Sequence, residues 1–215
     1  MDISILQFFA GLIFLSLIFL NLTKKNYLAA MVFGIQSFAV MMIFLSSYLE
    51  TRNLYVLLLV LLTLVIKVIL APMFFIRLIE KHQLSFSVST YLNMPLTLIV
   101  IAMLTFLAHS QRLLPLTNII PLHQGILAIA LSGIFISLFM IINRKEAISQ
   151  IISILSLENS IVVFAIFAGL EQFPGLQIGI IFDIFVWIII STIFVTMIYE
   201  QFGSNIVTTM NKLKD

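Results

Sequence analysis

Glu158 and its neighbour Asn159 lie inside ISILSLENSIVVF (152–164), a run otherwise apolar enough to cross a bilayer. An ionisable side chain at the centre of a membrane helix costs about 2.5–3.5 kcal/mol on the milder scales, so such groups usually serve an ion or proton path or neutralise one another. Two more charged residues fall inside apolar runs: Lys67 in VLLTLVIKVILAPMFF (60–75) and Asp183 in IGIIFDIFVW (178–187). Lys67, Glu158 and the amide Gln36 sit near the middle of their runs, whereas Asp183 is about 9 Å from the start of its own at 1.5 Å per residue. Burial disfavours the charged form of an ionisable group and an opposite charge favours it, so opposed effects of this kind can hold a group where it exchanges protons readily. The set therefore predicts a band of titratable groups near mid-membrane. Glu158, Lys67 and Asp183 would be its proton-relay residues, with Gln36, Asn159 and Pro72 in support. The competing reading is a static Lys67–Glu158 or Lys67–Asp183 pair that only fixes helix packing. Spacing alone does not choose between the two acids.

Local features bear on how these groups are held. Pro72 has no N–H, and its ring displaces the carbonyl of Val68, which predicts a kink beside Lys67 where a freed carbonyl or a water solvates the ammonium. Ser149, Ser153, Ser156 and Ser160 recur at four, three and four residues and draw a small-residue stripe that lets two helices approach closely. At 100° per residue Glu158 projects about 180° from that stripe, toward an internal cavity or a partner subunit. Gly175 and Gly179 lead at the same spacing to Asp183, which places that acid against protein, with Trp187 roughly on the same face. His109 and His123 flank the connection HSQRLLPLTNIIP and read as a surface pair with no third ligand placed for a metal.

The elements that position these residues follow from composition. With 62% hydrophobic and 9% charged residues and a mean hydropathy of +1.21, the chain reads as an all-α polytopic membrane protein. The apolar runs predict seven spans: Ile3–Leu22, Tyr27–Ser47, Leu54–Ile79, Tyr91–Ala108, Leu122–Ile142, Ala147–Gly169 and Gln177–Tyr199. No soluble catalytic domain fits in what remains. With no cysteine there is no thiolate metal site or iron–sulfur ligand set. The start, MDISILQFFAG, lacks a basic n-region, so the first helix is taken as retained. Of the eleven basic residues, eight follow odd-numbered spans (Lys24, Lys25, Arg77, Lys81, Arg144, Lys145, Lys212, Lys214). Only Arg52 and Arg112 follow even-numbered ones, and Lys67 is internal. That asymmetry puts the N-terminus outside and the C-terminus in the cytoplasm. Residues 1–199 form one transmembrane domain and 200–215 a short cytoplasmic tail. A shift of 122 positions lays Gly11 on Gly133 and Gln36 on Glu158, predicting parallel pseudo-repeats over about 3–79 and 122–199, bridged by the helix 91–108.

Through GIQS (34–37), KVILAPM (67–73), LEN (157–159) and IGIIFD (178–183), in that order and spacing, the chain resembles the E component of hydrogenase-4, a membrane-bound nickel–iron hydrogenase. The hairpin around Glu158 is also similar to the K subunit of respiratory complex I and the C subunit of Mrp-type antiporters. The resemblance implies a non-catalytic membrane subunit of a hydrogenase-like or complex I-like assembly, in a prokaryotic inner membrane. Its implied partners are antiporter-like membrane subunits, a hydrogenase-like peripheral arm and the lipid bilayer, with no nucleic acid and no cofactor in this chain. It assigns Glu158 to a lateral proton path and makes Asp183 a looser counterpart of the next helix's acid. Gln36 departs from the K-subunit pattern because an amide cannot titrate. Two alternatives stay open: a cation/proton antiporter component or small independent carrier, and an assembly protein whose charges only lock packing.

Overall fold

The computed structural model describes residues 3–81 and 88–170, with Ile178, Gly179, Phe182, Phe185, Ile189, Thr192 and Ile193 beyond them. Two helical hairpins make its centre. In the first, α1 (Ile3–Leu22) turns through Thr23–Lys25 into α2 (Asn26–Thr51); in the second, α7 (Gln124–Asn143) turns through Arg144–Glu146 into α8 (Ala147–Phe167). The hairpins lie side by side, α1 against α7 and α2 against α8. Arg52 ends α2 in the left-handed region at φ 51°, its N–H on the Tyr48 carbonyl, and Asn53 caps the next helix by accepting the Tyr55 N–H. That helix runs as α3 (Leu54–Leu62), a π-helical segment (Thr63–Leu70) and α4 (Ala71–Lys81).

Among the described residues five helices are long and apolar enough to cross a membrane, and six if a bent pair counts as one span. The expected first, second, third, fifth and sixth spans match them to within about four residues. The expected fourth, Tyr91–Ala108, holds one helix that ends at Ala108 as expected but begins later. Asn93 caps α5 (Met94–Ala108) by accepting the Leu96 N–H, with Pro95 in the first turn, so the helix starts three residues late. At fifteen residues it reaches only about 22 Å, short of a hydrocarbon core of about 30 Å. It continues after a 52° bend into a helical segment over Gln111–Thr117, which ends in α6 (Leu114–Thr117). The expected seventh span, with Asp183 and Trp187, lies outside the described residues, as does the expected tail.

Two apolar clusters fill the bundle. Leu17, Leu20, Phe33, Phe75, Ile136, Met140, Ile148 and Leu155 belong to the one nearer the basic turns. Leu6, Ile13, Val40, Phe44, Leu59, Leu127, Val163 and Phe167 belong to the other, toward the opposite end. Between them each long helix contributes buried polar atoms: Ser16 from α1, Gln36 and Ser37 from α2, Thr63 and Lys67 from the π segment, Ser132 from α7, and Ser156, Asn159 and Ser160 from α8. A polar layer thus crosses the oily interior at mid-height.

Candidate functional site

The third span runs from Leu54 to Glu80, so Lys67 stands thirteen residues from either end, at its midpoint. Glu158 is one residue past the middle of α8. The structure joins them: Lys67 Nζ lies 3.0 Å from Glu158 Oε1, and also donates to Asn159 Oδ1 at 2.9 Å. Asn159 Nδ2 in turn donates to Ser37 Oγ at 3.2 Å. One connected chain, Glu158–Lys67–Asn159–Ser37, therefore links three helices through the polar layer. The lysine is 2% exposed and the carboxylate 12%. So little exposed to bulk solvent, the ion pair and its charge-assisted bonds are stronger than on a surface.

The backbone around Lys67 explains its reach. In the π-helical Thr63–Leu70 segment the Ala71 N–H bonds to Ile66 O, five residues back. The wider turn adds a residue to the span without lengthening it as an α-turn would, and such segments recur at functional positions. Pro72 follows directly and offers no N–H to the carbonyls of the widened turn. A π-helical segment thus stands where the irregularity beside Lys67 was expected. Helix α2 answers with Gly34: a Cβ there would sit 3.1 Å from Pro72 Cγ and 3.8 Å from Val68 O. Glycine at this position lets α2 lie against the proline ring.

The serine stripe is buried along its whole length, and Gly133 of α7 packs onto it. A Cβ at Gly133 would meet Ser160 Oγ at 2.8 Å and Leu17 Cδ1 at 3.1 Å. On the side of α8 away from the serine stripe, Glu158 meets Lys67 of its own chain, one of the two pairings that the sequence offered. Gln36 is fully buried one residue from Ser37 and does not join the Lys67–Glu158 chain. Asn159 bonds to Ser37 across the same 122 residues as the sequence shift. The equivalence stops at packing, since Gly11 has open space where Gly133 is hemmed in.

Sequence reasoning missed a second buried network, at the basic turns. A charge in a turn is expected to be solvated, yet Arg144 is buried, with Nη1 on Thr23 O at 3.0 Å and Nη2 on Leu20 O. The cation thus closes the C-terminal end of α1, where the last carbonyls and the helix dipole favour it. Glu146, also buried, accepts from Asn26 Nδ2 at 2.8 Å and from the Ser89 N–H at 3.1 Å. Burial pushes its carboxyl above the ordinary 4.5, against the lowering effect of Asn26, Ser89, Arg144 and Ser149. Burial likewise lowers Arg144 to about 10, opposed by Glu146, so the guanidinium stays charged at neutral pH. The segment from Val88 is tied into this end: Thr90 pairs with Arg144, Leu92 N–H donates to Asn143 Oδ1, and Lys145 lies over the Tyr91 ring. The available signal was that Thr23 and Arg144 fall in matching turns of the two hairpins.

The histidines stay apart in their bonding: His109 Nδ1 meets Thr105 O at 2.9 Å, while His123 Nδ1 lies 3.4 Å from Phe167 O. No group of three metal-ligating side chains occurs among the described residues. No protein-family model, curated protein or solved structure matches this chain.

Proposed function

We propose that the chain is a non-catalytic membrane subunit of a hydrogenase-like or complex I-like assembly, and that Lys67 and Glu158 carry part of a mid-membrane proton path. The observation behind this reading is the 3.0 Å contact between an ammonium and a carboxylate inside a polar layer bounded by two apolar clusters. In that geometry a proton moves from Nζ to Oε1 and turns an ion pair into a neutral amine and acid. The change in charge separation is local, and a second donor or acceptor then moves the proton on. Asn159 and Ser37 orient the ammonium; an amide is a poor relay because passing a proton through it requires its imidic tautomer. Asp183 is proposed as a further relay group. The resemblance to hydrogenase-4 component E, and that of the hairpin around Glu158 to the K subunit of complex I and the C subunit of Mrp-type antiporters, supports the same role. The partners it implies are antiporter-like membrane subunits and a hydrogenase-like peripheral arm in a prokaryotic membrane.

The test is Glu158→Gln in native membrane vesicles, with proton translocation measured per electron transferred. The reading predicts a loss of coupled translocation with the assembly intact, and unchanged coupling and rate contradict it. A second reading, that the pair only locks three helices together, draws on the two bonds Lys67 makes at once. Neutralising both partners separates the two.

A further inference from the structure

Gln36 is a costly side chain by its bonding. It is fully buried, and neither Nε2 nor Oε1 has a hydrogen-bond partner among the described residues. A primary amide carries two donors and an acceptor with two lone pairs, and leaving them unmet away from water costs several kcal/mol. Of the four buried serine hydroxyls that share its condition among the described residues, two lie near its depth. Ser16, Ser132, Ser153 and Ser160 all bond back to the carbonyl four residues earlier, the usual resort of a buried helix serine. Ser137 and Ser156, equally buried, do not. The register sets these groups at one depth. The Asn159–Ser37 bond places Gln36 level with Glu158 on the parallel helix, and Ser156 lies two residues away, about 3 Å along the axis. The Gly133–Ser160 approach on antiparallel helices sets Ser137 beside Ser156.

We infer that Gln36 anchors internal water in the polar layer, with Ser137 and Ser156 as further contacts, and that this water hydrates the Lys67–Glu158 pair. Buried water typically makes about three hydrogen bonds to otherwise unmet polar groups, which matches what these residues offer. Gln36 would then be a positioning residue, unable to titrate but holding the solvent through which the pair exchanges protons. The hydration step builds on the proposed relay, but its readouts do not depend on transport.

The direct experiment is water-edited magnetisation transfer in the isotope-labelled full chain in bilayers. Transfer from water protons to the Gln36 side-chain amide should exceed that to the backbone amide of Phe75, inside the apolar cluster, by several-fold. Equal transfer overturns the inference. Thermal unfolding of Gln36→Met and Gln36→Asn gives a second readout. If the amide holds water, Gln36→Met lowers the midpoint and Gln36→Asn recovers part of the loss. If the amide is dry, exchanging an unmet polar group for an apolar one of similar size raises the midpoint, which also overturns the inference.

Discussion

Lys67 and Glu158 are each expensive alone and inexpensive together. Removing one partner of a buried ion pair typically costs about 3–5 kcal/mol, because the other charge is left without compensation, whereas replacing both with apolar groups is often neutral. Lys67→Met and Glu158→Leu should therefore each destabilise the protein by roughly that amount, less for the partly exposed glutamate. The double variant should return close to the parent, with a coupling energy read from a double-mutant cycle of thermal or denaturant unfolding. Strictly additive losses would show that the pair is not formed. Both residues were legible in the sequence because a charge inside an apolar run is costly and stands out from its neighbours. Their pairing was not, since Asp183 was an equal candidate and only helix packing chooses between the acids. Arg144 and Glu146 were illegible for the opposite reason: charges in a turn are normally solvated, and nothing local in RKEA says otherwise.

Close approach between helices rests on two glycines that a Cβ would obstruct. Gly133→Ala should cost about 1–3 kcal/mol as Ser160 and Leu17 are displaced, and Gly133→Val more. Gly11→Ala, on a helix face with open space, should be neutral or stabilise by up to about 1 kcal/mol through helix propensity. Equal effects at the two positions, measured by unfolding in detergent, would show that close packing at Gly133 is not what the glycine serves. Span positions were readable here because hydropathy sets where a helix can cross. Pro72 marked the place of the backbone irregularity but not its form. The π form depends on packing between helices, and here Gly34 of α2 lies close against Pro72. The fourth span was read three residues too long at its start because Tyr91 and Leu92 are apolar enough to begin a helix, while Asn93 followed by Pro95 caps one starting at Met94.

At the scale of the whole molecule, the basic-turn end is a sealed electrostatic joint between the hairpins and the Val88–Leu92 segment. Its pH response follows from Glu146. The folded chain holds that proton to higher pH than the unfolded chain, so this group's contribution is most favourable below its ordinary 4.5 and is lost as pH rises through its raised value. Arg144, at about 10, keeps its charge throughout that window. Thermal midpoints followed upward from pH 4.5 should fall less steeply in Glu146→Gln than in the parent, and identical slopes would contradict the assignment. This joint ties one end of the bundle, while the polar layer crosses its middle between two apolar clusters. The proposed proton path at mid-height is the reading that gives the costly groups in that layer a use.

The most direct test of that function keeps the layer neutral and the assembly whole. Proton translocation should be measured in native membrane vesicles carrying Lys67→Met together with Glu158→Leu, alongside a check that the host complex forms. Loss of translocation in a complex that assembles normally is the predicted result. Translocation at the parent rate from the same assembled complex would show that the pair is a packing device and not a relay.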